Sequence, residues 1–133
     1  MKIMFICKHN SFRSKVAEAV FKKWYSGKKH KAISRGIFRG PFTYPNTRKC
    51  VKEVGYIIKG KPRCATFEEI HEQDKIIIIA NDVPKELFSG YGFLKGKVDV
   101  WEIPDTDAKK SDKIKKITLE IERRIKNFIK ELE

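Results

Sequence analysis

The run "KIIIIA" at residues 75–80 constrains the fold more than any other part of the chain. Successive side chains of a strand point to opposite faces, so four consecutive isoleucines leave neither face polar. A strand of that kind is at home in the middle of a parallel sheet covered on both sides by helices. The rest of the pattern agrees. "KIMFI" (2–6), "AIS" (32–34) and "VDVW" (98–101) read as further strands. Helical periodicity fills the intervals, over 14–25 with Val16, Ala17, Val20, Phe21 and Trp24 on one stripe, and over 46–55 between Pro45 and Gly55. A short helix at 66–72 carries a capping-box signature, Thr66 with Glu69 three residues on. The last segment, 112–132, repeats Ile114, Ile117, Ile121, Ile125, Phe128 and Leu132 on one face. Strands alternating with helices pair in parallel through right-handed crossovers. The expectation is a three-layer α/β/α fold with a central four-stranded parallel sheet, formed by residues 1–133 as a single domain.

No run of 18 apolar residues occurs, which argues against a transmembrane helix, and the first apolar stretch is too short for a signal peptide. Three cysteines, an odd count without an extracellular signal, suggest a reducing, cytoplasmic setting. The formal charge of +13 is unevenly placed. Residues 1–63 hold 17 Lys and Arg against two acids, Glu18 and Glu53, whereas residues 64–133 hold 13 basic and 15 acidic residues. The positive field therefore belongs to the first half, and it would concentrate an anion.

That half opens with "FICKHNSFRSKVAEAVF" (5–21), an apolar strand ending on Cys7, a polar loop, and a helix that starts at Arg13-Ser14. Ligands of parallel sheets sit beyond the carboxyl ends of strands. In such a loop the backbone N–H groups of Lys8, His9, Asn10, Ser11 and Phe12 converge at a helix N-terminus and form an anion site. An arginine grips two phosphate oxygens at once. A thiolate beside a bound oxyanion is a nucleophile placed to attack it. His9 lacks partner ligands at metal-binding spacing, so no metal is expected. Cys50, on an apolar helix face with Val51 and Val54, and Cys64, after the turn "GKPR", read as structural cysteines. Asp82, at the end of the isoleucine strand, reads as an orienter of Arg13 or of the loop.

"CKHNSFRS" resembles the Cys-x5-Arg-Ser loop of the low-molecular-weight protein tyrosine phosphatases, a family that includes thioredoxin-coupled arsenate reductases. The likeness continues through "SKVAEAVFKK", "SRG" (34–36), "IIIIAND" and "VWEIPDT". It implies that Cys7 is the nucleophile of a cysteinyl-phosphate mechanism and that Arg13 binds and stabilises the transferred group. It implies further that Ser14 donates to the sulfur, that Asn10 orders the loop in a left-handed conformation, and that Asp105 is the general acid. Lys8, His9, Asn10, Ser11, Phe12 and Ser14 would line the substrate phosphate, with no cofactor. The implied partner is a phosphotyrosine protein or a small aryl phosphate, handled by a monomer with no nucleic-acid or membrane partner.

The chain departs from the family pattern in four places. Phe12 replaces a second loop cysteine, His9 stands at a glycine position, and Thr106 replaces a proline, with Asp107 as a rival acid. The aromatic residues that normally follow the acid are missing, and Phe38, Phe42 and Tyr44 are candidates to supply that wall. Two other readings use the same residues. An arsenate reductase would pass oxidation to later cysteines, although Cys50 and Cys64 stand 14 residues apart. A basic module for RNA or an acidic partner would use the loop only to hold phosphate.

Overall fold

The computed structural model describes residues 1–133, and its sheet contains four strands, all parallel, in the order β2-β1-β3-β4. In chain order these are β1 (Lys2–Cys7), β2 (Lys31–Gly36), β3 (Lys75–Ile79) and β4 (Val98–Trp101). The helices are α1 (Arg13–Trp24), α2 (Pro45–Val54), α3 (Phe67–His71) and α4 (Ser111–Leu132). Two 3-10 turns that periodicity does not reveal, Lys85–Phe88 and Gly92–Leu94, fill the connection from β3 to β4. No helix is long and apolar enough to cross a membrane.

Alternation along the two central strands sorts the core into two layers. Ile3, Phe5, Ile77 and Ile79 join the apolar faces of α1, α2 and α4, including Val16, Val20, Cys50, Val51, Ile121 and Ile125. Met4, Ile6, Ile76, Ile78 and Ala80 face the other way, onto Ile70 of α3 and onto Phe88 and Leu94 of the 3-10 turns. The thinner second layer explains why so short a helix as α3 suffices. Its capping box forms as the sequence suggests, with the Glu69 N–H donating to Thr66 and the Thr66 N–H donating back to Glu69. Gly55 ends α2 in the left-handed region at φ 118°.

Trp24 lies at the rim of the core, 47% exposed, where its indole N–H donates to the Tyr56 hydroxyl (2.8 Å). One sequence expectation needs correction. Cys64 is exposed rather than structural, since its segment runs along the outer edge of β2 through a single bridge to Gly36.

Candidate active site

β1 and β2 end together, with Cys7 beside Gly36, and the loop 8–12 leaves at the carboxyl edge of the sheet. The segment after β2 then fixes the direction in which this loop faces. Backbone N–H groups of Ile37, Phe38 and Gly40 donate to the carbonyls of Cys7, Lys8 and His9, and the Thr43 hydroxyl donates to the carbonyl of Ser11. With its carbonyls taken on the outside, the loop turns its N–H groups inward. Those of Ser11, Phe12, Arg13 and Ser14 have no protein acceptor, and α1 has no side-chain cap. Close approach requires a glycine at 36, where a Cβ would lie 2.5 Å from the Phe38 carbonyl oxygen and 2.9 Å from the Asn10 nitrogen.

Asn10 is the one non-glycine residue with positive φ, at 55°. Fully buried, it is held by its own side chain: Nδ2 donates to Ser14 Oγ (2.8 Å) and Ser34 Oγ (3.1 Å), and Oδ1 accepts from the Arg63 N–H (2.9 Å). Its backbone N–H donates to Cys7 Sγ at 3.3 Å, and Ser14 Oγ lies 3.1 Å from the same sulfur. Since Ser14 already accepts from Asn10, its own proton is free to point at the sulfur.

Arg13 is only 2% exposed, yet its guanidinium is fully directed. One nitrogen donates to the Ile103 carbonyl (3.0 Å) and the other to Asp82 Oδ1 (3.0 Å), with Asp105 Oδ2 at 3.7 Å. Asp82 thus orients Arg13, as its place at the end of the isoleucine strand suggests. The two acids after β4 separate cleanly. Asp105 is half-exposed beside Arg13, whereas Asp107 accepts from the Lys109 N–H (2.8 Å) in the turn that leads into α4.

Lys8, His9 and Ser11 line the loop at intermediate or exposed positions, whereas Phe12 is buried. Its side chain is buried in the core with α1 and α4, so only its backbone faces the site. Phe38, Phe42 and Tyr44 are exposed along the segment flanking the loop. There Phe42 and Tyr44 meet edge to face at 4.8 Å, and Phe38 lies near the His9 ring. The Arg63 N–H is a contributor that sequence reasoning missed; its only signal is the proximity of β2 to an edge segment that carries no strand pattern.

A family model for the low molecular weight phosphotyrosine protein phosphatases matches residues 2–133. The chain belongs to this family. It is an enzyme of the cysteine-phosphatase type, acting on phosphorylated substrates. Solved structures give the same fold. An arginine phosphatase, YwlE, from Geobacillus stearothermophilus superposes with a TM-score of 0.85 at 18% identity, covering 98% of this chain and 92% of its own. A low molecular weight protein tyrosine phosphatase from T. tengcongensis gives 0.83 at 23%, covering 98% and 99%. An arsenate reductase from Archaeoglobus fulgidus gives 0.71 at 24%, covering 96% and 98%. No curated protein matches the chain.

Proposed function

We propose that this phosphatase hydrolyses aryl phosphate monoesters, with phosphotyrosine in a protein as the substrate class, through a cysteinyl-phosphate on Cys7. The observation that carries the reading is the convergence on Cys7 Sγ of the Ser14 hydroxyl (3.1 Å) and the Asn10 N–H (3.3 Å), below a rim bearing Arg13 and Asp105. The phosphate dianion sits on the inward N–H groups of the loop and the fork of Arg13. Cys7 Sγ attacks phosphorus, an S–P bond forms as the P–O bond breaks, and Asp105 delivers a proton to the departing oxygen. Ser14 stabilises the sulfur when it is the leaving group. In the second step Asp105 takes a proton from water, which attacks phosphorus, releases inorganic phosphate and restores the thiolate. Arg13 stabilises charge on the equatorial oxygens in both steps. The exposed Phe38, Phe42 and Tyr44 supply an aromatic wall for a phenyl ring.

A second reading is favoured by the rim chemistry. Asp82 and Asp105 are both partly exposed, and Asp105-Thr106-Asp107 carries no aromatic residue. A guanidinium leaving group would meet those carboxylates well, and the Geobacillus stearothermophilus relative is an arginine phosphatase. Against arsenate reduction, Cys50 is sealed in the apolar core, poorly placed to relay oxidation to the exposed Cys64.

The test is hydrolysis of a phosphotyrosine peptide, a phosphoarginine peptide and arsenate-dependent thiol oxidation, measured side by side with Cys7→Ser as the control. Phosphotyrosine is expected to turn over fastest, with all turnover lost in Cys7→Ser. A preference for phosphoarginine would replace the substrate assignment, and retention of activity in Cys7→Ser would refute the mechanism.

A further inference from the structure

Behind the catalytic loop, between the first turns of α1, the end of β2 and the segment 59–64, lies a second cavity of about 670 Å³. Six cationic side chains line it, Lys15, Arg35, Arg39, Lys59, Lys61 and Arg63, against one acid, Glu18. Part of this charge is already matched. Arg35 is held by Glu69, while Glu18 accepts from Lys22 and from Ser34. Arg39, Lys59, Lys61 and Arg63 have no carboxylate partner anywhere in the protein. At the base lies Lys15, only 6% exposed, with a single acceptor, the Lys59 carbonyl at 2.9 Å, for its three N–H groups. Burial pushes its ammonium below the ordinary lysine range, partly offset by Glu18. Gathering this much like charge around a recess costs self-repulsion that a bound anion relieves.

We propose that this cavity is a binding site for a small polyphosphate chain, separate from the catalytic loop. The lining favours a phosphate chain over a nucleoside, because Pro62 and Cys64 are its only side chains of low polarity and no aromatic ring is present to stack a base. A recess with a buried lysine at its base suits a compact polyanion rather than a nucleic-acid duplex, which would touch only the exposed rim. Such a ligand would sit one residue from the catalytic machinery, since Arg63 lines the cavity and its N–H holds Asn10 Oδ1, while Ser34 in the same lining accepts from Asn10 Nδ2.

The proposal goes beyond phosphatase activity, and binding alone can decide it. Tripolyphosphate is titrated calorimetrically into the full chain saturated with orthovanadate, which occupies the catalytic loop. One site is expected, weakened at least about tenfold by Lys59→Glu with Lys61→Glu. The same charge change made in the turn after α1, Lys28→Glu with Lys29→Glu, is expected to alter affinity less than about twofold, because solvent screens charges at that range. ATP should bind about as tightly as tripolyphosphate, and orthophosphate far more weakly. Titration of Cys7→Ser, Arg13→Ala protein, whose loop has lost its anion grip, gives the same answer without appeal to phosphatase chemistry. Absence of a site in both backgrounds, or equal weakening by the two charge reversals, overturns the proposal. ATP binding tenfold tighter than tripolyphosphate would refute the assignment to the phosphate chain.

Discussion

Replacing Asn10 with alanine should separate the two jobs of this residue. Its amide makes three side-chain hydrogen bonds, to Ser14, Ser34 and the Arg63 N–H, each worth about 1 kcal/mol when lost from a buried site. Alanine must also adopt the left-handed φ of 55°, which asparagine tolerates and alanine does at about 1 kcal/mol. The expected loss for Asn10→Ala is therefore about 4 kcal/mol. Glycine loses the same three bonds but accepts the backbone conformation. Its greater unfolded-state entropy offsets much of that relief, so Asn10→Gly should be less destabilising by up to about 0.5 kcal/mol. Urea unfolding, with the midpoint and slope measured for all three proteins, supplies the comparison. Both variants should also lose turnover, since the Ser14 hydroxyl is no longer held toward Cys7. A loss below 1 kcal/mol for Asn10→Ala, or a glycine variant less stable than the alanine one, would refute the argument that the amide network holds the loop.

Three further outcomes follow from the same geometry. Arg13→Lys keeps the charge but loses the fork held by Ile103 and Asp82, so kcat for an aryl phosphate should fall about 10²-fold or more; a near-normal rate would mean that the guanidinium does not grip the transferred group. Asp105→Asn should slow phenyl phosphate hydrolysis far more than nitrophenyl phosphate hydrolysis, because a good leaving group departs without a proton. Asp107→Asn, removing a carboxylate bonded to the Lys109 N–H, should show no such dependence; reversal of the pattern would exchange the two assignments. Hydrogen bonds from Arg35 hold the Glu69 carboxyl down at about 2, against a partial opposing effect of burial. The depressed value means that this pair stabilises the fold above the unfolded-state pKa of about 4.5 and that the contribution disappears as pH falls toward 2. Allowing for solvent screening at this partly exposed pair, it is worth about 1–2 kcal/mol. The stability gap between wild type and Glu69→Gln should therefore close between pH 5 and pH 2, and a gap independent of pH would count against the pairing.

The local features of this protein were legible in its sequence because each depends on residues a few positions apart. Four isoleucines in a row can serve only a strand covered on both faces, and β3 is that strand, with its side chains divided between the two core layers. The capping box at Thr66 and the strand-loop-helix around Cys7 are likewise short-range patterns, whereas the left-handed Asn10 is implied by the family resemblance. The tertiary structure decided what depends on distant segments meeting. Arg13 meets Ile103 across 90 positions and Asp82 across 69, and only strand order β2-β1-β3-β4 brings those carboxyl ends together. Asp105 and Asp107 are indistinguishable by spacing, yet the turn into α4 claims Asp107 and leaves Asp105 beside the arginine. Phe12 looks like a loop residue until α1 and α4 pack and draw its ring into the core. The cavity of unpaired cations is hidden for the same reason, since scattered lysines read as solvated surface until the chain folds α1, β2 and the segment 59–64 around one recess. Periodicity encodes which face of an element is apolar, whereas the partner of a charged side chain is set by the packing of whole elements.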